Sequence, residues 1–334
     1  MNNPSAARDI SSVLIYVGGD LVGDALMKLP FARALRTAFP SARISWCAGK
    51  HKSAFGKELS NLVDGLIDEV IEEAGFDKPS QFLWKRPIDG RHFDLVIDTQ
   101  RGAAASYLVR RIHHRLFISG AANFLLSDRK PNSGYQRPAA MVQQMMDLLE
   151  LATGEKPNPS AKLTLPETEV AAAAAALPDG PLYIGIAPGA GGRQKCWPID
   201  RFIEIANQQD ALGRKAVFIL GPGEAEWTAS LINAVPKALF PTIGQNGRPI
   251  ASVSNSIALA QRLHAAVAND AGTGHILAAA DIPLVSLFGP TPAAKFAPAA
   301  SRLTVIEAQN FGSNEMTAIP VETVADAIDA LLKN

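Results

Sequence analysis

Short apolar runs alternate along the whole chain with longer stretches in which apolar residues recur three and four positions apart. Runs such as 12–17 and 93–98 predict buried strands, whereas the spacing over 24–39 is typical of an amphipathic helix. Pro30 lies inside this helix and predicts a kink or a separate first turn there. Strands that alternate with helices favour a doubly wound α/β fold with parallel sheets.

The same pattern runs through both halves of the chain. In the first half it predicts strands at 12–17, 42–47, 65–71, 93–98 and 115–119, with helices at 24–39, 51–59, 103–112 and 137–152. In the second half it predicts strands at 182–187, 216–220, 265–268, 282–288 and 303–307, with helices at 167–177, 200–211, 257–262 and 321–332 and others starting near 224 and 273. The Pro-rich stretch 156–160 is the best linker candidate. We therefore expect two Rossmann-like domains, 1–160 and 161–334, facing each other across a central cleft.

Composition excludes several classes of protein. The 334 residues contain 32 Lys and Arg and 32 Asp and Glu, so zero net charge gives no global bias toward nucleic acid. The two cysteines have no metal-binding or redox spacing, which suits a reducing cytoplasm. We find neither a signal-peptide pattern nor an apolar run long enough to span a membrane. These features predict a cytoplasmic α/β protein without a metal or a cofactor.

Charge is nevertheless concentrated in one region. Residues 85–137 contain ten Lys and Arg residues and four acids, a local net charge of +6. Either this region is an ordinary solvated surface, or it contacts an anionic acceptor or membrane headgroups. If it binds an acceptor, the candidate contacts are Arg101, Arg110, Arg111 and Arg115.

Four Gly-containing loops follow predicted strands, at 18–24, 188–197, 221–226 and 269–275. The dinucleotide fingerprint is absent, because the glycines of the first loop have the wrong spacing and Glu226 occupies the last position in the third. No Walker sequence is present either, since Cys196 follows Lys195 where that motif has Ser or Thr. A nicotinamide-dependent dehydrogenase is therefore disfavoured.

Two of these loops have the chemistry of a phosphate site. Residues 189–192 are all small and can present backbone N–H groups, and Lys195 adds a compact positive charge. In the last loop Gly272 and Gly274 lack a Cβ, and a helix starting at Thr273 would direct unpaired N–H groups at an anion. Loops at the carboxyl ends of parallel strands are a preferred ligand site. We predict that they bind a phosphorylated small molecule.

Three motifs together resemble the ADP-heptose:lipopolysaccharide heptosyltransferase family: Gly-Asp-Ala-Leu-Met-Lys-Leu-Pro (23–30), Pro-Gly-Ala…Lys-Cys-Trp-Pro (188–198) and Asn-Asp-Ala-Gly-Thr-Gly-His…Phe-Gly-Pro-Thr (269–291). Their order and spacing match from about residue 12 to residue 300. The resemblance implies a GT-B fold and inverting transfer of a sugar from a nucleotide sugar. It also implies that the C-terminal domain holds most of the donor and that the N-terminal domain binds the acceptor.

The resemblance assigns roles to individual residues. Asp24 matches the candidate general base; its other role would be the N-cap of the predicted helix, which is compatible with the first, and Asp20 is a weaker alternative base. Lys195 matches the diphosphate-binding lysine, and Asp270 an aspartate near the donor sugar. Thr291 either shapes this pocket or serves only the turn. The full donor-binding prediction is Gly189, Ala190, Gly191, Gly192, Lys195, Glu224, Glu226, Asp270, Ala271, Gly272, Thr273, Gly274 and His275, with either Glu224 or Glu226 contacting the ribose.

The sequence departs from the family pattern where hydroxyl side chains are common. Residues 190–192 are Ala-Gly-Gly, and Ala271 stands at another such position. These changes keep the backbone donors and remove side-chain donors, so the donor sugar stays open. The predicted function is transfer of a sugar, heptose being favoured, onto a lipopolysaccharide-core or related anionic acceptor, at the cytoplasmic face of the inner membrane. The alternatives are use of another nucleotide sugar, a nucleotide-sugar epimerase, and a nucleotide-sugar-binding protein without catalysis.

Overall fold

The computed structural model describes residues 9–49, 51–74, 76, 86–88, 90–244, 246–248 and 252–333. They group into two compact units, Met1–Thr164 and Leu165–Asn334. Each unit contains one five-stranded sheet in which every strand pair is parallel. The predicted parallel α/β fold class is therefore confirmed in both units. No helix among the residues described is long and apolar enough to cross a membrane.

The sheet of the first unit has the strand order β3-β2-β1-β4-β5. Its strands are β1 Ser12–Tyr16, β2 Arg43–Cys47, β3 Glu69–Ile71, β4 His92–Asp98 and β5 His113–Ser119. Its helices are α1 Val22–Ala38, α2 Ala103–Arg110 and α3 Met141–Thr153. The central strand β1 is buried along Val13–Tyr16, which explains its continuous apolar sequence. The strand order reverses between β1 and β4, so this pair is the switch point of the sheet.

Two helix predictions in the first unit need correction. α1 is one continuous helix with Pro30 inside it, so the expected separate first turn is wrong. The predicted helix 51–59 is also wrong, since this segment forms a short 3₁₀ turn at Ala54–Gly56. Ser53 starts that turn: its hydroxyl accepts a hydrogen bond from Phe55 N–H, and its own N–H donates to Glu72. Partners distant in the sequence therefore override the local helical pattern.

The second unit has the strand order β10-β9-β8-β6-β7. Its strands are β6 Tyr183–Ala187, β7 Lys215–Phe218, β8 Ala265–Asn269, β9 Leu284–Phe288 and β10 Leu303–Glu307. Its helices are α4 Glu167–Ala176, α5 Ile199–Ala211, α6 Thr228–Ala234, α7 Val253–Ala260, α8 Gly272–Ala279, α9 Ala293–Phe296 and α10 Val321–Lys333. The helix expected from residue 224 is a 3₁₀ segment, Pro222–Trp227, followed by α6. Here the strand order reverses between β6 and β8.

Candidate functional site

The switch point of the second unit brings two of the predicted phosphate loops together. β6 and β8 are hydrogen-bonded neighbours in parallel register, with Ala187 opposite Ala268. Loop 188–197 follows β6, and the segment that leads into α8 follows β8. Both therefore leave the same edge of the sheet, where ligands of open α/β sheets bind.

Asn269 connects the two ends of loop 188–197. Its side chain is fully buried; Nδ2 donates to the Pro188 carbonyl at 2.7 Å, and Oδ1 accepts from the Trp197 N–H at 3.1 Å. Trp197 is itself buried, and its indole N–H donates to the Ile319 carbonyl at 3.0 Å. The loop is thus fixed where it begins and where it ends. The sequence placed Asn269 only at the start of a loop, because its partners are 81 and 72 positions away.

The loop brings Lys195 to Asp270. Nζ of Lys195 lies 2.8 Å from Oδ2 of Asp270, and the Thr291 hydroxyl donates to the same oxygen at 2.5 Å. The Asp270 side chain is 9% exposed and that of Lys195 is 29% exposed, so the ammonium is the half of the pair that solvent reaches. Lys195 is therefore a held cation rather than a free surface lysine. Thr291 belongs to the same cluster, which answers the alternative left open by the sequence.

The two acidic candidates of the third loop lie in different environments. Glu224 packs against Gly189, where an added Cβ would lie 2.2 Å from Oε1. Its Oε2 accepts a hydrogen bond from the Gly221 N–H at 2.7 Å, and burial raises the pKa of this carboxyl. Glu226 instead forms an exposed ion pair with Arg193. Glu224 is thus the acid that lies against loop 188–197.

The start of α8 leaves open space beside this cluster. The helix begins at Gly272, and its N-cap residue, Ala271, has no side chain that could cap it. An added Cβ at Gly272 would meet nothing within 4 Å. At Gly274 it would lie 3.3 Å from the Asn269 carbonyl, so this glycine serves the packing of the helix on the strand. Thr273 and His275 are both half-buried in the first turn of this helix.

The first unit has a pocket of about 650 Å³ at its own switch point. It is bordered by the loops after β1 and β4, by α1 and α3, and by segment 120–137. The volume falls in the range of small-molecule sites. Its polar lining includes Asp24, Lys28, His51, Arg101, Gln144 and Arg137, and its apolar lining includes Phe76, Phe124, Met141, Met145 and Leu148.

Asp24 lies in the first turn of α1 with an exposed side chain that borders the pocket. The N-cap of α1 is Leu21, so the alternative role of Asp24 as N-cap is wrong. Gly18 and Gly19 lead into the helix with φ of +73° and +133°. An added Cβ would lie 3.0 Å from the Gln100 side chain at Gly18 and 2.5 Å from that of His51 at Gly19. The backbone of this loop is therefore closely packed between its two neighbours.

Asp20, the weaker alternative base, lies inside the unit. Its side chain is fully buried, and Oδ1 lies 3.5 Å from Nζ of Lys28. Burial lowers the pKa of the Lys28 amine, while Asp20 and Asp24 oppose that shift. Asp20 is therefore a partner of Lys28, and Asp24 is the more accessible of the two acids.

The four predicted acceptor-binding arginines occupy different places. Arg101 borders the pocket and donates to the Gln144 side chain at 2.6 Å. Arg110 pairs with Asp128, and Arg111 is the C-cap residue of α2. Arg115 lies in the amino-terminal half of β5, near Asp94. None of these three arginines borders the pocket. Lys85 and Asp89, which contribute to the basic run, lie outside the described residues.

Arg137 borders the same pocket, although the sequence analysis did not single it out as a contact. Its guanidinium lies over the Phe124 ring, 5.9 Å from the centroid, and donates to the Gly120 carbonyl. Its place at the end of the basic region 85–137 was the only available signal. Across the described ranges no group of three or more His, Cys, Asp or Glu side chains could hold a metal ion.

Comparison with known proteins identifies the family. The model of glycosyltransferase family 9 (heptosyltransferase) matches residues 83–319. Lipooligosaccharide heptosyltransferase 2 of Haemophilus influenzae is 24% identical over 316 residues, which cover 88% of each chain. A family 9 glycosyltransferase of Veillonella parvula has a TM-score of 0.70 at 20% identity over 97% of both chains. The E. coli heptosyltransferase WaaC with ADP has a TM-score of 0.66 at 19% identity, over 96% of this chain and 99% of its own. The chain therefore belongs to glycosyltransferase family 9, the heptosyltransferase family, and is a glycosyltransferase of the GT-B fold class.

Proposed function

We propose that the protein transfers heptose from ADP-heptose, with inversion at the anomeric carbon, onto an anionic lipopolysaccharide-core acceptor. The names of its relatives support this choice of substrates. One is a lipooligosaccharide heptosyltransferase, and a solved E. coli heptosyltransferase contains ADP-2-deoxy-2-fluoro heptose. We further propose that the enzyme acts at the cytoplasmic face of the inner membrane, where such an acceptor would be presented.

The second unit is the proposed donor site. Lys195 and the open N–H groups at the start of α8 would bind the diphosphate, because both favour anions. Asp270 would orient the sugar while it holds Lys195, and Glu224 would accept hydrogen bonds from the ribose hydroxyls. Loop 189–192 and residues 271–275 would surround these groups with backbone donors and little side-chain bulk.

The first unit is the proposed acceptor site. Arg101 and Arg137 border its pocket and would bind phosphate or carboxylate groups of the acceptor. Asp24 would face the acceptor hydroxyl. Arg110, Arg111 and Arg115 would contribute only to the wider positive surface, since they lie outside the pocket.

The proposed reaction needs one base and one anion-stabilising cation. The acceptor oxygen attacks the anomeric carbon while the bond from that carbon to the diphosphate oxygen breaks. The proton of the acceptor hydroxyl passes to Asp24, and Lys195 offsets the charge that develops on the leaving nucleoside diphosphate. A positioned base typically contributes about 10²–10⁴-fold to the rate. Loss of one charge-stabilising contact typically costs about 3–4 kcal/mol.

One observation carries the assignment: an accessible carboxylate, Asp24, borders the pocket at the switch point of the first unit, and a held ammonium, Lys195, lies at the switch point of the second. The test is turnover of Asp24→Asn with ADP-heptose and a lipopolysaccharide-core acceptor. We expect kcat to fall by about 10²-fold or more with an unchanged Kd for ADP. Asp64→Asn, an exposed aspartate between β2 and β3, is the matched control and should keep full activity.

The alternatives predict different results in the same assay. An epimerase would convert the nucleotide sugar without any acceptor, and a binding protein would show no turnover even in the wild type. ADP-, GDP-, UDP- and dTDP-sugars should be compared as donors, because residues 190–192 and 271 offer no side-chain hydroxyl. Faster transfer from another sugar nucleotide would replace heptose in the proposal and leave the reaction class intact.

A further inference from the structure

Lys28 and Asp20 form a buried ion pair at the pocket of the first unit. Their side chains are 8% and 0% exposed, and Nζ lies 3.5 Å from Oδ1. Within the part of the chain that the structure describes, neither carboxylate oxygen of Asp20 accepts a hydrogen bond. A buried carboxylate without hydrogen bonds is strongly unfavourable unless an opposite charge compensates it. Lys28 supplies that charge, and Asp20 in turn holds the ammonium in place.

Lys28 also faces Asp24. The two residues are four positions apart on α1, which places them on the same face of the helix, and both border the pocket. The ammonium has three hydrogen-bond donors, so its contact with Asp20 leaves donors available toward the pocket. The interaction with Asp24 also opposes the lowering of the Lys28 pKa by burial, in the same direction as Asp20. The amine therefore lies 3.5 Å from a buried carboxylate and on the same helix face as an accessible one.

Other titratable groups border this region and must be considered with the pair. The pocket is also lined by Tyr16, His51, Arg101, Tyr135 and Arg137. A neighbouring hollow that contains Asp20 and Asp24 is lined by His51, Lys52, Lys57, Glu58 and Glu72. Arg101 and Arg137 are exposed to water, which screens their charges, whereas Lys28 is buried. Of these three basic side chains, Lys28 is therefore the one whose charge water screens least.

We propose that Lys28 donates a hydrogen bond to the reacting hydroxyl of the acceptor beside Asp24, while Asp20 positions the ammonium. This inference rests on the proposed role of Asp24 as base. As the hydroxyl loses its proton to Asp24, its oxygen becomes more negative, and an adjacent ammonium stabilises that change. No additional reactant is needed, because the proton still passes from the acceptor oxygen to Asp24.

The test compares Lys28→Met, Lys28→Arg and the double variant Asp20→Asn/Lys28→Met by steady-state kinetics across pH. In Lys28→Met we expect kcat to fall by about 10–100-fold, with little change in the KM for the donor. The acidic limb of the kcat/KM profile should move to higher pH by about half to one unit, because one positive charge beside Asp24 is lost. Lys28→Arg should keep the position of that limb. Lys237→Met, which removes an exposed ammonium paired with Asp210 in the second unit, is the control and should change neither quantity.

The double variant separates function from folding, because it removes both buried charges together. Its urea midpoint should recover relative to Lys28→Met, while kcat stays low. Wild-type kcat in a folded double variant would overturn the proposal, and so would an acidic limb that does not move in Lys28→Met. Full turnover in Asp24→Asn is a different outcome: it would refute the proposed function and this role of Lys28 together. An inactive Asp24→Asn with an unaffected Lys28→Met refutes the role of Lys28 alone.

Discussion

Replacement of Asn269 tests the donor site without removing a group proposed to touch the donor. Its side-chain amide joins the Pro188 carbonyl to the Trp197 N–H, at the two ends of the loop that carries Lys195. Asn269→Leu keeps a similar volume and removes both hydrogen bonds. Asn269→Asp keeps an acceptor for the Trp197 N–H, but it places a carboxylate oxygen against the Pro188 carbonyl. Both variants should loosen the loop.

The magnitude follows from the burial of these groups. The Asn269 side chain is fully buried, at 0% exposure. Loss of its amide therefore leaves the Trp197 N–H and the Pro188 carbonyl without partners in the interior. Each buried unsatisfied group costs about 1–3 kcal/mol. We expect Asn269→Leu to lower the free energy of unfolding by about 2–6 kcal/mol, the sum for the two groups. If the loosened loop weakens the binding free energy of ADP by about 1.4 kcal/mol, the Kd for ADP rises about tenfold.

Urea denaturation gives the first quantity and isothermal titration with ADP gives the second. The titration should be done at a temperature at which each variant is folded, so that affinity is separated from stability. Asn207→Leu is the matched control, because Asn207 is exposed on α5, where surface changes usually stay within about 0.5 kcal/mol. An unchanged Kd for ADP in folded Asn269→Leu would refute the idea that this amide positions the phosphate loop.

Three further predictions concern other contacts of the two sites. Gly189→Ala should weaken ADP binding in titration calorimetry, because the added Cβ would displace the Glu224 carboxylate. An added Cβ at Gly223 would meet no atom within 4 Å, so Gly223→Ala should bind ADP with unchanged affinity. Since burial raises the pKa of Glu224, its stabilising contribution is full below its ordinary pKa of 4.5 and is lost as pH rises. Thermal melts should therefore show Glu224→Gln gaining stability over wild type at pH 8 and little at pH 4. Arg137→Ala should raise the acceptor KM more at low salt than at high salt, and an equal effect of Arg115→Ala would contradict the pocket assignment.

The sequence predicted the frame of the fold well because that frame depends on local pattern. Continuous apolar runs predict buried parallel strands, and the strand predicted at 303–307 matches β10 residue for residue. Loop chemistry predicted Lys195 as the cation of a phosphate site, and the family resemblance added Asp270; the structure brings the two side chains together. Which of Glu224 and Glu226 lies against the loop could not be decided, since both follow the same strand and only packing distinguishes them.

The remaining features depend on contacts between distant parts of the chain. The predicted helix at 51–59 is absent because Ser53 binds Glu72, which local periodicity does not report. Arg137 reaches the pocket from an irregular segment, whereas Arg110 pairs with Asp128 and does not border it. Lys28 lies in an apolar helical stripe, and nothing in its neighbours reveals that Asp20 would be buried beside it. Charge counting therefore located a basic region without identifying its functional members.

The two units use the same electrostatic arrangement with the signs exchanged. In the first, accessible Asp24 lies one helical turn from buried Lys28; in the second, accessible Lys195 is held by the more buried Asp270. A buried group of opposite charge lets a side chain remain ionised near apolar walls. The same buried group also competes for that side chain with any ligand that carries the same sign of charge as the buried group. An ammonium escapes this conflict because its three donors can serve Asp270 and a phosphate together. The donor site can therefore be preorganised before the nucleotide sugar binds, and Lys195 need not break its bond to Asp270 during transfer.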